Sequence, residues 1–190
     1  MKSKTQNPKS KVYLTGFMGS GKSTVGPRVA RRRGARFVDL DNVIAERAGR
    51  AIPAIFEAEG EAGFRKREAA ALRAVSKQAS AQVVATGGGT LVQEENLQRA
   101  LGSGVIVYLR APAATLADRL REAAARRPLL QGEGGQPLAG AALTRRIEAL
   151  LSERQRFYER AHVTVDTAEA TPEESAEAVV EAARARCAAR

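Results

Sequence analysis

Short apolar runs alternate along the chain with longer segments in which apolar residues recur every three or four positions. The short runs predict strands over residues 12–14, 36–41, 82–86, 105–109 and 163–165. The longer segments predict helices over residues 23–33, 42–49, 61–78, 93–101, 113–125 and 141–158, a helical turn within 51–60, and a last helix that Thr171 caps and Pro172 opens. Strands that alternate with helices predict an α/β domain with a parallel sheet covered on both faces.

A glycine-rich loop follows the first predicted strand. It fits the pattern Gly-x-x-x-x-Gly-Lys-Ser/Thr, with Gly16, Gly21, Lys22 and Ser23 at the fixed positions. Glycines let successive backbone N–H groups turn toward phosphate oxygens, and the following helix adds the positive end of its dipole. Lys22 can reach the outer phosphates, and the Ser23 hydroxyl is placed to ligate Mg²⁺. The loop therefore predicts a site for a nucleoside triphosphate.

Two acidic residues, Asp39 and Asp41, end the second predicted strand. Ligands of open α/β sheets bind outside the carboxyl ends of the strands, and residues two apart on a strand point the same way. We therefore expect both carboxylates to face the phosphate loop, one holding Mg²⁺ through water and the other orienting or deprotonating a nucleophile. The alternative is structural: Asp41 caps the next helix and Asp39 is solvated.

Two arginines lie beside apolar helix stripes. Arg154 continues the stripe of the helix over residues 141–158, and Arg65 follows Phe64 and precedes Glu68, which could hold its guanidinium. Two such arginines could bind one carboxylate with paired hydrogen bonds. The alternative is that both are ordinary surface arginines.

Glycines mark two further places where backbone could approach a ligand. Gly87, Gly88 and Gly89 follow the third predicted strand directly. Arg127 precedes residues 131–137, which contain three glycines and one proline, and this composition predicts a mobile loop that could carry Arg127 over nucleotide phosphates. The alternative is a solvated charge in a flexible segment.

Composition narrows the classes of protein that fit. The chain has 31 Lys and Arg against 21 Asp and Glu, a net charge of +10, which suits either a nucleic-acid binder or an enzyme of anionic substrates. Three Tyr, five Phe and no Trp leave little for base stacking, so the enzyme is favoured. The single histidine, His162, is expected to be structural or solvated, and the single cysteine favours a reducing compartment and argues against a zinc site.

No apolar run is long enough to predict a membrane span. Residues 1–11 are polar and basic, unlike a secretory signal, and are expected to be a disordered start. Residues 12–190 are then expected to form one domain, with a lid at about 126–138. We expect a monomeric cytoplasmic protein that uses small-molecule substrates and binds neither nucleic acid nor membrane.

Taken in order, these motifs resemble shikimate kinase, which phosphorylates the 3-hydroxyl of shikimate with ATP. The resemblance spans roughly residues 12–172 and is carried by the glycine loop at 16–26, Phe-Val-Asp-Leu-Asp at 37–41, Phe-Arg at 64–65, the glycines at 87–89, Arg-Pro-Leu-Leu at 127–130, and Arg154 with Tyr158. The glycine loop alone is shared by many ATPases, but the combination is far more specific. The alternatives are a kinase of another small hydroxy acid such as gluconate, and an ATP-binding protein associated with nucleic acid.

The resemblance implies a nucleoside-monophosphate-kinase-like fold with a five-stranded parallel sheet, flanking helices and a mobile lid. It implies that the catalytic residues are Asp41, Lys22 and Arg127. It implies that shikimate is bound by Asp41, Arg65, Gly87, Gly88, Gly89 and Arg154. It implies that ATP is bound by Gly19, Ser20, Gly21, Lys22, Ser23, Thr24 and Arg127, with an adenine-side contact near Thr171, and that Mg²⁺ is held by Ser23 and, through water, Asp39. Arg119 and Arg121 compete for a further contact before the lid.

Overall fold

The computed structural model describes residues 11–188 of the chain, except the side chains of Arg126 and Glu133. Its five strands are β1 (Lys11–Thr15), β2 (Arg36–Asp39), β3 (Gln82–Ala85), β4 (Gly104–Arg110) and β5 (Val163–Asp166). They form one sheet in the order β2-β3-β1-β4-β5, and every neighbouring pair is parallel. The predicted five-stranded parallel sheet is therefore confirmed.

Helices connect the strands and cover both faces of the sheet. They are α1 (Lys22–Arg33), α2 (Leu40–Ala48), α3 (Ile52–Lys77), α4 (Glu94–Ser103), α5 (Ala113–Leu120), α6 (Gly140–Tyr158) and α7 (Pro172–Ala188). Short 3₁₀ turns lie at Thr90–Val92, Ala124–Arg126, Pro128–Leu130 and Glu133–Gly135. The last three of these turns form the segment between α5 and α6, where the lid is predicted. Its mobility stays a prediction.

The alternation of side chains along β1 divides the core into two layers. Val12 and Leu14 pack with α1 and α7 on one face, whereas Tyr13 packs with α2, α3 and α4 on the other. A third apolar cluster joins α5, α6 and Phe17 of the phosphate loop to Leu130 of the lid segment. Both faces of β1 are thus buried, which is why its sequence is a short continuous apolar run.

The second strand and the second helix differ from the prediction. The strand stops at Asp39, whose Oδ1 accepts a hydrogen bond of 3.0 Å from the backbone N–H of Asp41 and so caps α2. Asp41 therefore lies in the first turn of a helix and does not end a strand, and Asp39 is the capping residue that the alternative had assigned to Asp41. An aspartate at this position satisfies an N–H that has no partner within the helix.

Two other helices also differ from the predicted boundaries. The predicted turn at residues 51–60 and the helix after it are joined in α3, with a break at Gly60, where φ is 66° and ψ is −174°. Helix α5 ends at Leu120 instead of residue 125, and the chain continues in turns. Thr171 caps α7 as predicted: its Oγ1 accepts from the N–H of Glu174 at 3.2 Å, and the Glu174 carboxylate accepts from the N–H of Thr171 at 2.7 Å.

His162 and Lys11, to which the sequence assigns no catalytic role, both form hydrogen bonds with the backbone of the sheet region. The Nδ1 atom of His162 accepts a hydrogen bond of 3.0 Å from the N–H of Ile106, so the structural interpretation of this histidine is confirmed. Lys11, assigned from the sequence to the disordered start, is buried in β1 and donates its ammonium to the Gln78 carbonyl. The rest of that prediction, residues 1–10, lies outside the described residues. Within residues 11–188, we find no helix both long and apolar enough to cross a bilayer.

The packing of Gly26 of α1 predicts a stability difference between two helical glycines. A Cβ on Gly26 would lie 2.3 Å from a ring carbon of Phe37, whereas a Cβ on Gly102 of α4 would meet no heavy atom within 4 Å. We expect Gly26→Ala to lower the free energy of unfolding by about 1–2 kcal/mol, the cost of overpacking less the gain in helix propensity. Gly102→Ala should leave it unchanged or raise it by up to about 1 kcal/mol. Urea titration measures both, and equal stability of the two variants would contradict this packing argument.

Candidate active site

The loop between β1 and α1 has the backbone that phosphate binding requires. Gly16 has φ of 141°, and a Cβ there would lie 2.5 Å from the Leu109 carbonyl oxygen, so this position accepts only glycine. Gly21, with φ of 98°, turns the chain into α1, and no side chain caps the first turn of that helix. The N–H groups that precede Thr24 and Val25, whose own N–H groups bond the Gly21 carbonyl, are therefore left for phosphate oxygens.

Lys22 lies inside the loop. Its Nζ donates to the carbonyl oxygens of Gly16 and Phe17, both at 2.8 Å. Burial lowers the pKa of Lys22 to about 8, against the opposing attraction of Asp41 and Asp39. A phosphate group would favour the charged ammonium, because it would place negative charge beside a partly desolvated cation.

Ser23 and Asp39 meet at the edge of the loop, where the sequence predicts Mg²⁺. The Ser23 hydroxyl donates to Asp39 Oδ2 at 3.2 Å. A hydroxyl beside one carboxylate suits Mg²⁺, which keeps several waters and usually takes one or two carboxylates together with phosphate oxygens. Residues 11–188 contain no group of three or more His, Cys, Asp or Glu side chains that could hold a metal by themselves. These two residues therefore fit a magnesium ion that is bound together with a nucleotide.

Asp41 faces the same cleft from the first turn of α2. A Cβ on Gly87 would lie 3.1 Å from Asp41 Oδ1, so the bare glycine backbone packs directly beside this carboxylate. Although Asp41 keeps accessible surface, its pKa is raised, first by desolvation within the cleft and then by the nearby negative charges of Asp39 and Glu68, while Lys22 and Arg127 oppose the shift. A carboxylate with a raised pKa is a better proton acceptor than an ordinary surface aspartate.

Glu68 on α3 is a buried charge with two partners. Its side chain is 1% exposed, Oε2 accepts from Arg65 Nη1 at 2.8 Å, and Oε1 accepts from the Thr90 hydroxyl at 2.7 Å. The carbonyl of Thr90 accepts in turn from the side-chain amide of Asn96 at 3.1 Å. A buried carboxylate that lacked these bonds would be strongly unfavourable, so the network fixes the position of Arg65.

The Arg65 guanidinium lies against the glycines after β3. A Cβ on Gly89 would lie 2.8 Å from Arg65 Nη1, so only glycine leaves room for the guanidinium here. A second carboxylate, Glu61, accepts from Nη2 at 3.2 Å. Although burial lowers the pKa of Arg65, the bonds to Glu68 and Glu61 outweigh it and raise the pKa overall. Nη1 and Nη2 each use one of their two N–H groups in these bonds, so the guanidinium keeps donors for an anion.

Arg154 on α6 also lines the cleft. Its guanidinium carbon lies 5.6 Å from the centre of the Phe17 ring, and a Cβ on Gly88 would lie 3.5 Å from Nη1. Arg154 is half-buried and lines the same cleft as Arg65. The structure therefore brings together the two arginines that the sequence offered as a carboxylate clamp.

Of the two arginines that compete at the nucleotide end, Arg119 lines the cleft. Its guanidinium donates to the carbonyl oxygens of Gly19 at 3.3 Å and Ala168 at 3.2 Å, and also to that of Thr167. Arg121, at the end of α5, is exposed and lies outside the cleft lining. Arg119 therefore joins the phosphate loop to the loop before α7.

Thr171, near which the adenine-side contact is expected, does not itself line the cleft. Its hydroxyl donates to the Glu174 carboxylate at 2.7 Å and also accepts from the Glu174 N–H, so the cap of α7 occupies it. Its neighbours Ala170 and Pro172 do line the cleft. The adenine-side contact near Thr171 therefore stays a prediction, and the capping bonds explain why the Thr171 side chain itself is not part of the lining.

One cleft of about 1080 Å³ connects all of these groups. Every other predicted site residue lines it: Gly19, Ser20, Gly21, Lys22, Ser23, Thr24, Asp39, Asp41, Arg65, Gly87, Gly88, Gly89, Arg127 and Arg154. Phe56 and Leu129 are large apolar side chains that remain substantially exposed at its rim. The cleft thus has a phosphate end, formed by the loop, and an acid end, formed by Asp41 and the two arginines.

Sequence reasoning missed the contribution of Thr90 and the contact of Tyr158, a residue that entered only as part of the resemblance. Glu68 could be found, because it interrupts the apolar stripe of α3 beside Arg65. Thr90 gave no comparable signal, since a threonine after a glycine run is ordinary. The Tyr158 hydroxyl bonds a backbone carbonyl 70 positions away, which no local pattern indicates.

Comparison with known proteins agrees with this geometry. A family model described as shikimate kinase matches residues 18–184. The chain is 49% identical over 156 residues to a shikimate kinase of Salinibacter ruber, and this alignment covers 82% of this chain and 76% of that protein. The solved structure described as shikimate kinase from Acinetobacter baumannii in complex with shikimate superposes with a TM-score of 0.81 at 35% identity, covering 93% of each chain.

The alternative of a gluconate kinase has weaker support. A gluconokinase from Sinorhizobium meliloti superposes with a TM-score of 0.59 over 95% of this chain and 94% of its own. At 18% identity this similarity shows the fold alone.

The lowered pKa of Lys22 predicts proton uptake when a nucleotide binds. Near pH 8 about half of the free protein carries neutral Lys22, and the phosphates should raise its pKa, so roughly half a proton should be taken up. Isothermal titration calorimetry in buffers of different ionisation enthalpy measures this uptake. Lys22→Arg is the control, because its guanidinium stays charged throughout. Equal apparent enthalpies in all buffers for the unmodified protein would contradict the lowered pKa.

Proposed function

The chain belongs to the shikimate kinase family, and we propose that it transfers the γ-phosphoryl group of ATP to the 3-hydroxyl of shikimate. The observation that carries the proposal is the single cleft, in which a phosphate-binding loop faces one carboxylate and two arginines. Shikimate is a small acid that carries a carboxylate and several hydroxyl groups, so it needs both a cationic clamp and a group that orients one hydroxyl. The acid end of the cleft supplies both.

The phosphate end holds the donor. The backbone N–H groups of the loop and the Lys22 ammonium bind the phosphates, and the Lys22 charge stabilises the transferring group. Ser23 and Asp39 would hold Mg²⁺, which would supply positive charge to offset that of the phosphates. Arg119 lies between the loop and the strand-end residue Thr167, on the nucleotide side of the cleft.

The acid end holds the acceptor. Arg65 and Arg154 bind the shikimate carboxylate from two sides of the cleft, and the glycines at positions 87–89 let the ring approach the backbone. The apolar rings of Phe56 and Phe64, stacked 4.4 Å apart, form a wall for the carbon skeleton. This arrangement leaves a hydroxyl between Asp41 and the phosphate loop.

The reaction needs alignment and one proton acceptor. The oxygen of the 3-hydroxyl forms a bond to the γ-phosphorus while the bond from that phosphorus to the bridging oxygen breaks, releasing ADP. Asp41 orients the hydroxyl and takes its proton, a role that its raised pKa favours. Arg127, whose charge acts on both Lys22 and Asp41, contacts the phosphates from the lid segment.

Parallel measurements of ADP release with shikimate, gluconate and single-stranded DNA test the proposal. Shikimate alone should stimulate release strongly. Stimulation by gluconate to the same degree would instead favour the alternative acid, and stimulation by DNA would favour the nucleic-acid reading. The magnesium requirement, the monomeric state and the cytoplasmic location stay predictions from the sequence.

Asp41→Asn should lower kcat while nucleotide affinity changes little. The amide keeps the size and part of the hydrogen bonding but removes the basic site, and general-base assistance is typically worth about 10²–10⁴-fold. We expect the lower end, because a loose phosphoryl-transfer transition state depends mostly on positioning. The measurement is kcat of the folded variant at saturating shikimate and Mg-ATP. A loss below about threefold, outside the general-base range, would assign proton transfer elsewhere.

Arg154→Ala should raise the KM for shikimate by roughly 30-fold or more, since truncating one partner of a buried charge pair costs on the order of 2–5 kcal/mol. Arg65→Ala should do the same and should also lower the unfolding temperature, because Glu68 loses its cationic partner. Arg67→Ala is the control: this arginine is also on α3 but pairs with Glu59 outside the cleft. If a shikimate analogue without the carboxylate loses as much as shikimate in both site variants, the clamp assignment fails.

A further inference from the structure

Gly88 lies at the junction of the phosphate end and the acid end of the cleft. A Cβ built on this residue would lie 3.5 Å from Arg154 Nη1, 3.6 Å from the Gly16 carbonyl oxygen and 3.7 Å from the Met18 nitrogen. These are ordinary van der Waals distances to both sides. The backbone of Gly88 therefore packs between Arg154 Nη1 and the backbone of the phosphate loop, beside the direct contact of Arg154 with the Phe17 ring.

The carbonyl of Gly88 is held by one side chain. The Tyr158 hydroxyl donates to it at 2.7 Å, and the Tyr158 side chain is 1% exposed. Burial raises the pKa of Tyr158 to about 12, so the phenol keeps its proton and remains a donor at any working pH. Tyr158 lies four residues after Arg154 on α6, and the two therefore lie on the same face of that helix.

The ring of Tyr158 is itself fixed to the sheet. It stacks on Tyr108 of β4, with ring centres 4.9 Å apart and an interplanar angle of 22°. The hydroxyl, the ring and the helix thus connect Gly88, the sheet and Arg154 through one residue. A side chain with three such attachments has little freedom to move, so Tyr158 can hold the groups that it contacts in fixed positions.

We propose that Tyr158 is a positioning residue that fixes Arg154 and the glycine backbone relative to the phosphate loop, and so sets the alignment of the acid substrate with the phosphoryl donor. It acts through Gly88 and Arg154 and touches neither substrate. The inference rests on the proposed phosphorylation of shikimate. Phosphoryl transfer depends on alignment, and a misplacement of about 1 Å can cost about 10²-fold in rate.

Tyr158→Phe is the direct test, because phenylalanine keeps the ring and the stack and removes only the hydroxyl. Loss of one donor to this partly buried carbonyl corresponds to about tenfold, so kcat/KM for shikimate should fall by about that factor. The KM for ATP and the slow hydrolysis of ATP without shikimate should change by less than about twofold, because the phosphate loop retains its own hydrogen bonds. The rate of shikimate phosphorylation should thus fall relative to the rate of ATP hydrolysis.

Tyr108→Phe is the matched control. It removes a hydroxyl from the other ring of the same stack, on β4 instead of the helix that carries Arg154. Its kinetic constants should stay within about twofold of the unmodified protein, since no catalytic group is tied to this hydroxyl. Thermal unfolding of both variants, followed by circular dichroism, shows whether either change acts on the whole fold.

Three outcomes would count against the inference. The first is a Tyr158→Phe variant with unchanged kcat/KM for shikimate. The second is a Tyr158→Phe variant that loses shikimate phosphorylation and background ATP hydrolysis equally and unfolds at a lower temperature. An equal loss in Tyr108→Phe would also overturn it. Absence of shikimate-dependent turnover in the unmodified protein is a distinct result, because it would overturn the proposed function and this inference with it.

Discussion

The parallel pairing of β1 with β3 and β4 is the constraint on which the site depends. Because all the strands run in one direction, their carboxyl ends meet at one edge of the sheet. The phosphate loop follows β1, the three glycines follow β3, and Asp39 ends β2. Residues that are far apart in the chain therefore surround one cleft, without any long connection having to reach across the molecule.

The cost of burying charge shapes the acid end of that cleft. Glu68 is almost fully buried, and it is tolerable there because Arg65 and the Thr90 hydroxyl satisfy both of its oxygens. The same bonds hold the guanidinium of Arg65 in one orientation while its Nε remains without a partner. Because buried Glu68 needs these partners, Arg65 is held in a fixed position at the acid end of the cleft.

Glycine has a different role at each end of the cleft. At Gly16 the backbone adopts a left-handed conformation that a side chain rarely adopts, whereas at Gly89 the conformation is ordinary and the absent Cβ leaves room for Arg65. The first is a requirement of backbone geometry and the second a requirement of space. The spacing of the loop motif indicates the first requirement, whereas only the packing of Arg65 shows the second.

The sequence by itself determined the order of strands and helices and the phosphate loop, and all but one of the site residues that it predicts line the cleft. Those signals are local: an apolar run, a fixed glycine spacing, or an arginine in phase with a helix stripe. Helix α2 was misjudged at its start because one side-chain bond, from Asp39 to the Asp41 N–H, decides where the strand stops.

Only the tertiary structure decided which of two similar residues reaches the cleft. Arg119 and Arg121 are two positions apart on a short helix, and the sequence cannot tell which of them faces Gly19. Thr171 is occupied by Glu174, and Thr90 and Tyr158 bond groups 22 and 70 positions away. Such contacts depend on how elements pack, because a hydrogen bond is fixed by distances of a few tenths of an ångström that no linear pattern encodes.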